Sequence, residues 1–140
     1  MRAREFMTPS VEAILSHLPV REAARQMKQH NVGILMVCDT DRLVGIVTDR
    51  DITVRVVARG LDPDLTRVAD VMTTKPVFCY ADDDMREVSH LMARHKIRRI
   101  PVMSRTEGLV GLLSLGDMVR AGEGARYVAE VLESAAARRL

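Results

Sequence analysis

Aromatic residues are scarce in this sequence of 140 residues. Tryptophan is absent, and the only aromatic side chains are Phe6, Phe78, Tyr80 and Tyr127. Proteins that bind single-stranded nucleic acid stack successive bases on aromatic side chains. A chain with so few of them is not predicted to bind in that way.

Cysteine is equally rare. Cys38 and Cys79 lie far apart, with no Cys-x-x-Cys motif and no histidine close by. This spacing excludes a disulfide framework and the common zinc-binding motifs. His30 and His95 have no second metal ligand three or four residues away, so no metal site is predicted. We expect both cysteines to be reduced, buried strand residues without a redox role.

Neither sign of charge dominates, because 21 Lys and Arg residues face 19 Asp and Glu residues. A formal charge of +2 gives no strong field toward a nucleic-acid backbone or an anionic membrane. The sequence also lacks an apolar run long enough to span a membrane and a signal-peptide core. We therefore expect a cytoplasmic protein with no nucleic-acid partner and no membrane partner.

Motifs of catalysis are missing as well. The sequence has no Gly-x-Ser-x-Gly motif, no phosphate-binding Gly-x-x-x-x-Gly-Lys-Ser loop, and no nucleophile beside a histidine in a recognisable motif. The run Asp82-Asp83-Asp84 is typical of a helix cap rather than of a metal cluster. No catalytic residue is predicted, and the sequence does not indicate an enzyme.

The apolar content is sufficient for a folded core, with 47% hydrophobic and 29% charged residues. The length allows one ordinary domain or two very small ones, but not separate catalytic and regulatory domains. Any activity that this chain regulates is therefore expected on another chain.

The sequence repeats itself. At an offset of 65, Met7-Thr8 falls on Met72-Thr73 and His30 falls on His95. The offset becomes 66 after a turn, so that Leu43-Val44-Gly45 falls on Leu109-Val110-Gly111. A repeat of this length predicts two similar structural units.

Each repeat is predicted to form a strand, a helix, two strands and a second helix, which makes the fold α/β. The first helices have apolar stripes at helical spacing, made of Val20, Ala23, Ala24 and Met27 and of Met85, Val88, Leu91 and Met92. Pro19 is expected in the first turn of one of these helices, and Asp83 or Asp84 as the cap of the other. The second helices are predicted from Asp51 to about Arg59, ending at Gly60, and from Asp117 toward Gly122.

The predicted organisation is therefore repeat 1 at 1–60, a linker at 61–68, repeat 2 at 69–122 and a C-terminal helix at 123–140. Neither repeat alone buries enough surface to be more than marginally stable, so the two are expected to pack through their sheets with pseudo-two-fold symmetry. In the C-terminal helix, one face carries apolar residues and the end carries Arg138 and Arg139. This helix is expected either to cover the core or to form a dimer contact. Its apolar residues are Val128, Val131, Leu132, Ala135 and Ala136.

The motif Gly-x-x-(Thr/Ser)-x-x-Asp occurs once in each repeat. It places Thr48 three residues before Asp51, and Ser114 three residues before Asp117. One interpretation is a local helix cap, in which hydroxyl and carboxylate bond to backbone N–H groups. The other is a ligand site, in which the carboxylate accepts hydrogen bonds from a diol such as ribose. The spacing alone favours the cap.

Taken together, these features resemble a tandem pair of cystathionine-beta-synthase (CBS) domains, also called a Bateman module. The resemblance covers nearly the whole chain. It is carried by the Met-Thr repeat starts, the Arg-Glu helices, the segment His95-Lys96-Ile97-Arg98-Arg99-Ile100-Pro101-Val102 and the two Ser/Thr-x-x-Asp motifs. It implies a homodimer and binding of an adenosine nucleotide, such as AMP, ADP or ATP, in the clefts between repeats.

The resemblance also implies which residues bind the ligand. In one cleft, Ser114 and Asp117 would hold the ribose, and Arg98 and Arg99 match the basic pair that grips phosphate in the nucleotide-sensing subunit of AMP-activated protein kinase. The surroundings of the base would be Val77, Phe78, Ile100 and Pro101. In the other cleft, Thr48 and Asp51 would hold the ribose. The surroundings there would be Glu12, Ala13, Leu35 and Met36.

The second of these clefts departs from the family pattern. Gly33 and Ile34 replace the two arginines, Met36 replaces the proline, and Glu12 would repel phosphate. Arg50 is the residue expected to compensate. We expect the cleft with Ser114 and Asp117 to be the better nucleotide site.

The predicted function is that of a stand-alone regulatory module that senses an adenosine nucleotide and signals to a partner on another chain or through its own assembly. The alternative is a protein-interaction module with vestigial clefts that docks on an enzyme or transporter. The sequence does not distinguish AMP or ATP from NAD or S-adenosylmethionine.

Overall fold

The computed structural model describes residues 1–9, 11–120 and 127–133. A 3-10 turn at Ala3–Glu5 comes first, and a π-helical turn at Thr53–Val57 follows the second helix. A further helical segment comprises residues 127–133. The strands and named helices are, in chain order, β1 (Thr8–Pro9), β2 (Ala13–Leu15), α1 (Val20–His30), β3 (Ile34–Asp39), β4 (Arg42–Thr48), α2 (Asp49–Ile52), α3 (Val68–Val71), β5 (Thr73–Thr74), β6 (Cys79–Tyr80), α4 (Met85–His95), β7 (Arg99–Ser104), β8 (Gly108–Ser114) and α5 (Leu115–Arg120).

The chain forms two compact units. The repeat-1 unit is Val11–Pro76, and the repeat-2 unit combines Met1–Ser10 with Val77–Leu140. Both contain a mixed sheet covered by helices, so the α/β class and the repeated order of elements are confirmed. The boundaries 1–60, 61–68, 69–122 and 123–140 follow the repeat in the sequence and stay a prediction.

The two sheets have the same topology. In the repeat-1 unit, the order is β2-β3-β4-β5, with β2 parallel to β3 and the other pairs antiparallel. In the repeat-2 unit, the order is β6-β7-β8-β1, with the same directions. The short strand that begins each repeat in the sequence therefore completes the sheet of the other repeat.

This short strand explains the glycine that ends each Leu-Val-Gly segment. A Cβ on Gly45 would lie 2.6 Å from Met72 Sδ and 2.8 Å from the carbonyl oxygen of Thr73. A Cβ on Gly111 would lie 2.6 Å from Met7 Sδ, in the corresponding place. Only glycine lets the Met-Thr strand approach the sheet this closely.

The first helix of each repeat covers its sheet with the predicted apolar stripe. Val20, Ala23 and Met27 of α1 are buried, but Ala24 is exposed, so its assignment to the stripe is wrong. Three contacts with the core per two turns are enough for a helix at the surface, and Ala24 lies at the margin of that stripe. In α4, Met85, Val88, Ser89, Met92 and Ala93 are buried and Leu91 packs at the edge of the core.

Both second helices begin two residues earlier than predicted. They start at Asp49 and Leu115, because Thr48 and Ser114 are themselves the residues that cap the helices. The chain beyond α2 continues through the π-helical turn to Gly60, which has a positive φ of 68° and ends the helical path as predicted. The prediction that the helix after Asp117 continues toward Gly122 extends beyond the described residues.

The helical segment 127–133 packs on the repeat-2 unit. Tyr127 and Val131 are buried in that core and Val128 is partly buried against it. The carboxylate oxygen Glu130 Oε1 also lies 2.8 Å from His90 Nδ1 of α4 and accepts a hydrogen bond from it in the tautomer that carries a proton on Nδ1. The expectation that this helix covers the core is confirmed for Val128 and Val131, but Leu132 of the predicted apolar face is 42% exposed. The remaining predicted residues, Ala135, Ala136, Arg138 and Arg139, lie outside the described residues.

Within the described ranges, every helix is too short or too polar to cross a membrane.

Candidate functional site

The residues predicted for the first ligand site come together at one edge of the repeat-2 sheet. Val77 and Phe78 precede β6, Arg98 precedes β7, and Arg99 at the start of β7 pairs with Ser114 at the end of β8. Because β8 runs antiparallel to β7, the start of one strand meets the end of the other. We call this the repeat-2 edge.

At this edge, Ser114 and Asp117 form a reciprocal cap. The backbone N–H of Asp117 donates to Ser114 Oγ at 3.2 Å, and the backbone N–H of Ser114 donates to Asp117 Oδ2 at 2.9 Å. The Ser114 hydroxyl also donates to Asp117 Oδ2 at 3.1 Å. The predicted cap interpretation is therefore confirmed, and any role in ligand binding must be compatible with it.

Two further residues bind Asp117 that the sequence analysis did not identify. Thr8 Oγ1 donates to Asp117 Oδ1 at 2.9 Å, and Arg120 Nη2 donates to the same oxygen. Thr8 was visible in the sequence only as part of the repeated Met-Thr pair, and Arg120 only as a basic residue three positions after Asp117. With these partners around it, the side chain of Asp117 is only 7% exposed.

Neither Arg98 nor Arg99 forms an ion pair or a side-chain hydrogen bond within the part of the chain that the structure describes. The carbonyl of Arg98 accepts the N–H of Leu115 at 3.2 Å, which fixes the arginine pair beside the start of α5. Arg98 is partly buried and Arg99 is exposed. Two positive charges thus lie next to Ser114 without an anionic partner among the described residues.

Pro101 leaves a backbone acceptor open at the same edge. In the repeat-1 unit, the N–H of Met36 donates to the carbonyl of Glu12 at 3.0 Å. The equivalent residue of the repeat-2 unit is Pro101, which has no N–H. The carbonyl of Val77 accordingly accepts no hydrogen bond from the described residues, and β6 begins only at Cys79.

The side chains of Ile100 and Pro101 are buried, so these residues present backbone rather than side-chain surface. Phe78 is 42% exposed and stacks edge to face on Tyr80, with ring centroids 5.5 Å apart. Val77 is partly buried. Phe78 is therefore the side chain of this group with the most apolar surface available to a ligand.

The equivalent repeat-1 edge carries Glu12, Ala13, Thr48 and Asp51 on neighbouring strand ends, while Leu35 and Met36 are buried. Here too a reciprocal cap forms, because Asp51 N–H donates to Thr48 Oγ1 at 3.1 Å and Thr48 N–H donates to Asp51 Oδ2 at 2.9 Å. The other oxygen, Asp51 Oδ1, faces only Arg55 Nε at 3.9 Å. Asp51 therefore keeps open acceptor positions that Asp117 lacks.

The repeat-1 edge has no arginine pair, and the carboxylate of Asp49 lies beside Gly33, the residue equivalent to Arg98. The N–H of Asp49 donates to the carbonyl of Gly33 at 3.0 Å, and a Cβ on Gly33 would lie 2.9 Å from Asp49 Oδ2. Glu12 lies 3.4 Å from His30 Nε2. Arg50 is exposed, and its side chain forms no hydrogen bond or ion pair within the described ranges, while its backbone N–H donates to Asp49 Oδ1 at 2.9 Å.

Four equivalent positions thus differ in charge between the edges. Glu12 and Asp49 of the repeat-1 edge correspond to Val77 and Leu115, while Gly33 and Ile34 correspond to Arg98 and Arg99. The strand topology is the same, but at these positions the repeat-1 edge carries two carboxylates and the repeat-2 edge carries two guanidinium groups.

The cysteines are strand residues, with Cys38 in β3 and Cys79 at the start of β6. Both are buried and free, and burial raises the pKa of the Cys79 thiol to about 12, with a further contribution from Asp83. Burial and the nearby Asp39 and Asp41 also raise the pKa of Cys38. Both thiols are therefore protonated at neutral pH, which makes them poor nucleophiles.

Known proteins were compared with the chain. The model of the CBS domain family matches it twice, over residues 3–58 and 68–124. The chain is 40% identical over 115 residues to the CBS domain-containing protein YhcV of Bacillus subtilis, a match that covers 82% of this chain and 81% of that protein. It is 34% identical over 119 residues to Hypoxic response protein 1 of Mycobacterium tuberculosis, covering 84% of this chain and 82% of that protein.

Two solved structures are similar over most of both chains. A crystal structure of Hypoxic Response Protein I with two coordinated zinc ions gives a TM-score of 0.77 at 34% identity, covering 86% of this chain and 98% of that one. The structure of CBSX2 in complex with AMP gives a TM-score of 0.72 at 26% identity, covering 89% and 98%. Among the residues described here, no group of three His, Cys, Asp or Glu side chains is placed to hold a metal ion. The two family matches and these relatives agree, and the chain belongs to the CBS domain family.

Proposed function

We propose that this protein is a regulatory module that binds an adenosine nucleotide at the repeat-2 edge and has no catalytic activity of its own. The observation that carries the proposal is the arginine pair Arg98 and Arg99, which lies without an anionic partner among the described residues beside Ser114 and Asp117. Unpaired guanidinium groups are well suited to phosphate, because they donate several hydrogen bonds to its oxygens.

The other groups of the edge match the remaining parts of a nucleotide. The carboxylate of Asp117 accepts hydrogen bonds from the ribose hydroxyls, and Ser114 holds that carboxylate in place. The open carbonyl of Val77 is an acceptor for the amino group of adenine, and Phe78 offers apolar surface to the base. The AMP bound by CBSX2 supports this choice of ligand class.

The repeat-1 edge is proposed as the weaker site for a phosphorylated ligand. Glu12 and Asp49 repel phosphate where Val77 and Leu115 do not, and no arginine pair offsets them. Asp51 nevertheless has an acceptor oxygen open to ribose. This edge therefore favours an adenosine ligand without phosphate groups.

Signalling is proposed to act on a partner chain or on the protein's own assembly, with a cytoplasmic homodimer as the working state. Ligand binding shifts such an equilibrium only by the difference in affinity between the two states. AMP, ADP and ATP differ in charge, so a module of this kind would report the energy state of the cell.

Isothermal titration calorimetry tests the proposal, with AMP, ADP, ATP, NAD, S-adenosylmethionine and adenosine as separate ligands. We expect heat with at least one phosphorylated adenosine ligand, because the repeat-2 edge offers a partner for each of its parts. Sedimentation velocity on the same samples, with and without ligand, checks the dimer and any change of assembly.

No heat with any of these ligands at millimolar concentration would leave the interaction module with vestigial sites as the function. For variants of Arg98 and Arg99, Arg86→Ala is the matched control, since Arg86 is an exposed arginine of the same unit that bonds to no residue of the edge. A sedimenting mass equal to one chain would remove the homodimer.

A further inference from the structure

The carboxylate of Asp117 is already saturated with hydrogen bonds. Oδ2 accepts from the backbone and hydroxyl of Ser114, and Oδ1 accepts from Thr8 and Arg120. A carboxylate offers about four acceptor positions, so each is occupied in this structure. Ribose therefore binds Asp117 only if one of the present donors leaves.

Arg120 is the donor that can leave. The two bonds from Ser114 belong to the cap of α5, and Thr8 is held in strand β1 beside β8. The side chain of Arg120, in contrast, is 71% exposed and reaches Asp117 across the first turn of α5. Its Nη1 lies 3.3 Å from the position that a Cβ on Gly116 would take, so the glycine keeps this path open.

The repeat-1 edge has no such arrangement. The residues at the equivalent positions are Val54 for Arg120 and Arg50 for Gly116. Arg55 is the nearest cation to Asp51, and its Nη1 is bound to the carbonyl of Val71 at 2.8 Å. The saturated carboxylate is therefore a property of the repeat-2 edge within the described residues.

We propose that Arg120 makes the repeat-2 edge selective for phosphorylated adenosine ligands over adenosine itself. Adenosine must displace Arg120 from Asp117 and gives the guanidinium no new partner. A nucleotide also displaces Arg120, but it offers the guanidinium a phosphate in exchange. That phosphate would lie close to Arg98, because the N–H of Leu115, at the start of α5, donates to the carbonyl of Arg98. Arg120 thus exchanges the carboxylate of Asp117 for the ligand's phosphate, which makes it a specificity residue. This inference rests on the proposed function.

The test compares the dissociation constants of AMP and adenosine in Arg120→Ala. The Asp51→Ala background is used so that ribose binding at the repeat-1 edge is suppressed, and circular dichroism melts confirm that each variant is folded. We expect adenosine to bind roughly three- to tenfold more tightly once Arg120 is removed. AMP should not gain, so the dissociation constant of adenosine divided by that of AMP should fall by about three- to tenfold.

Arg86→Ala in the same background is the control, because it removes one positive charge from the same unit without touching Asp117. A ratio that is unchanged in Arg120→Ala, or that falls equally in Arg86→Ala, overturns the selectivity role and leaves the proposed nucleotide site standing. Absence of binding by both ligands in every variant overturns the proposed function together with this inference.

Discussion

The two repeats share a backbone and differ in the charge of one sheet edge. Gly45 and Gly111 both accommodate a Met-Thr strand, and Thr48 and Ser114 both cap a short helix through an aspartate. These shared residues fix the close approach of a strand and the start of a helix in each unit. Residues that differ, such as Gly33 and Arg98, lie beside strand ends at the two edges. We therefore expect the shared residues to matter mainly for folding and the differing residues for ligand selectivity.

The largest effect is expected from transferring the repeat-1 residues into the repeat-2 edge. The double variant Arg98→Gly with Arg99→Ile should weaken AMP binding by about one to two orders of magnitude, because each guanidinium supplies charge-assisted hydrogen bonds to phosphate. Calorimetry measures the loss. Adenosine serves as the internal control, since its affinity depends little on a phosphate contact, and an equal loss for both ligands would show that the arginine pair acts on folding instead.

The reverse transfer is not expected to create a phosphate site. A Cβ on Gly33 would lie 2.9 Å from Asp49 Oδ2, so a guanidinium introduced by Gly33→Arg would have this carboxylate as a partner within the edge. The carboxylates of Asp49 and Glu12 would still repel a phosphate.

A smaller contrast is expected between the two cap aspartates. Asp117→Ala should lower the free energy of unfolding by about 2 kcal/mol, since it leaves donors from Ser114, Thr8 and Arg120 without their acceptor. Asp51→Ala should cost about 1 kcal/mol, the usual value of a helix cap. Urea denaturation followed by circular dichroism provides both values.

The same pair of variants separates stability from binding. Asp117→Ala is also expected to weaken AMP binding more than Asp51→Ala does. Equal losses of both stability and affinity would contradict the asymmetry between the edges.

The smallest expected effect concerns the starts of α1 and α4. Asp84 caps α4 by accepting the N–H of Arg86 at 2.8 Å, and this bond holds the pKa of Asp84 below its usual value. Pro19 begins α1 without a side-chain cap. Because the pKa of Asp84 is lowered in the folded state, its stabilising contribution is complete above the unfolded pKa of about 3.9 and disappears as the pH falls through the folded pKa.

Asp84→Asn should therefore lower the thermal midpoint by a few degrees at pH 6 and by less at pH 3. Thermal melts across this range measure the difference from the unmodified protein. Asp82→Asn is the comparison variant, since Asp82 belongs to the same acidic run but lies 3.5 Å from Arg105 Nε instead of capping α4. A difference that is constant with pH would assign the effect of Asp84 to something other than its charge.

Much of each unit follows from local sequence patterns. The apolar spacing of Val20, Ala23 and Met27 predicted the buried face of α1, and the Ser/Thr-x-x-Asp spacing predicted the caps of α2 and α5. These features depend on residues within one or two helical turns of each other. Ala24 was misassigned because the width of an apolar stripe is set by the neighbouring elements, which the spacing does not show.

The environment of Asp117 was not predictable in the same way. Thr8 is 109 residues away in sequence and reaches Asp117 only because β1 pairs with β8. The open acceptor of Val77 likewise depends on Pro101, which has no N–H where the equivalent Met36 of the repeat-1 unit donates to Glu12. Both are consequences of strand pairing, and single-sequence patterns indicate that a strand exists more readily than which strand lies beside it.

The pairing of β1 with β8 also bears on how the chain folds during synthesis. The repeat-1 unit is one continuous stretch, Val11–Pro76, so all of its residues are available once that stretch has left the ribosome. The repeat-2 unit needs Met1–Ser10 from the start of the chain and Val77 onward from its later part. Closing that long loop carries an entropic cost that the continuous unit avoids. We expect the acidic edge to form first, and the saturated carboxylate at the basic edge to form last.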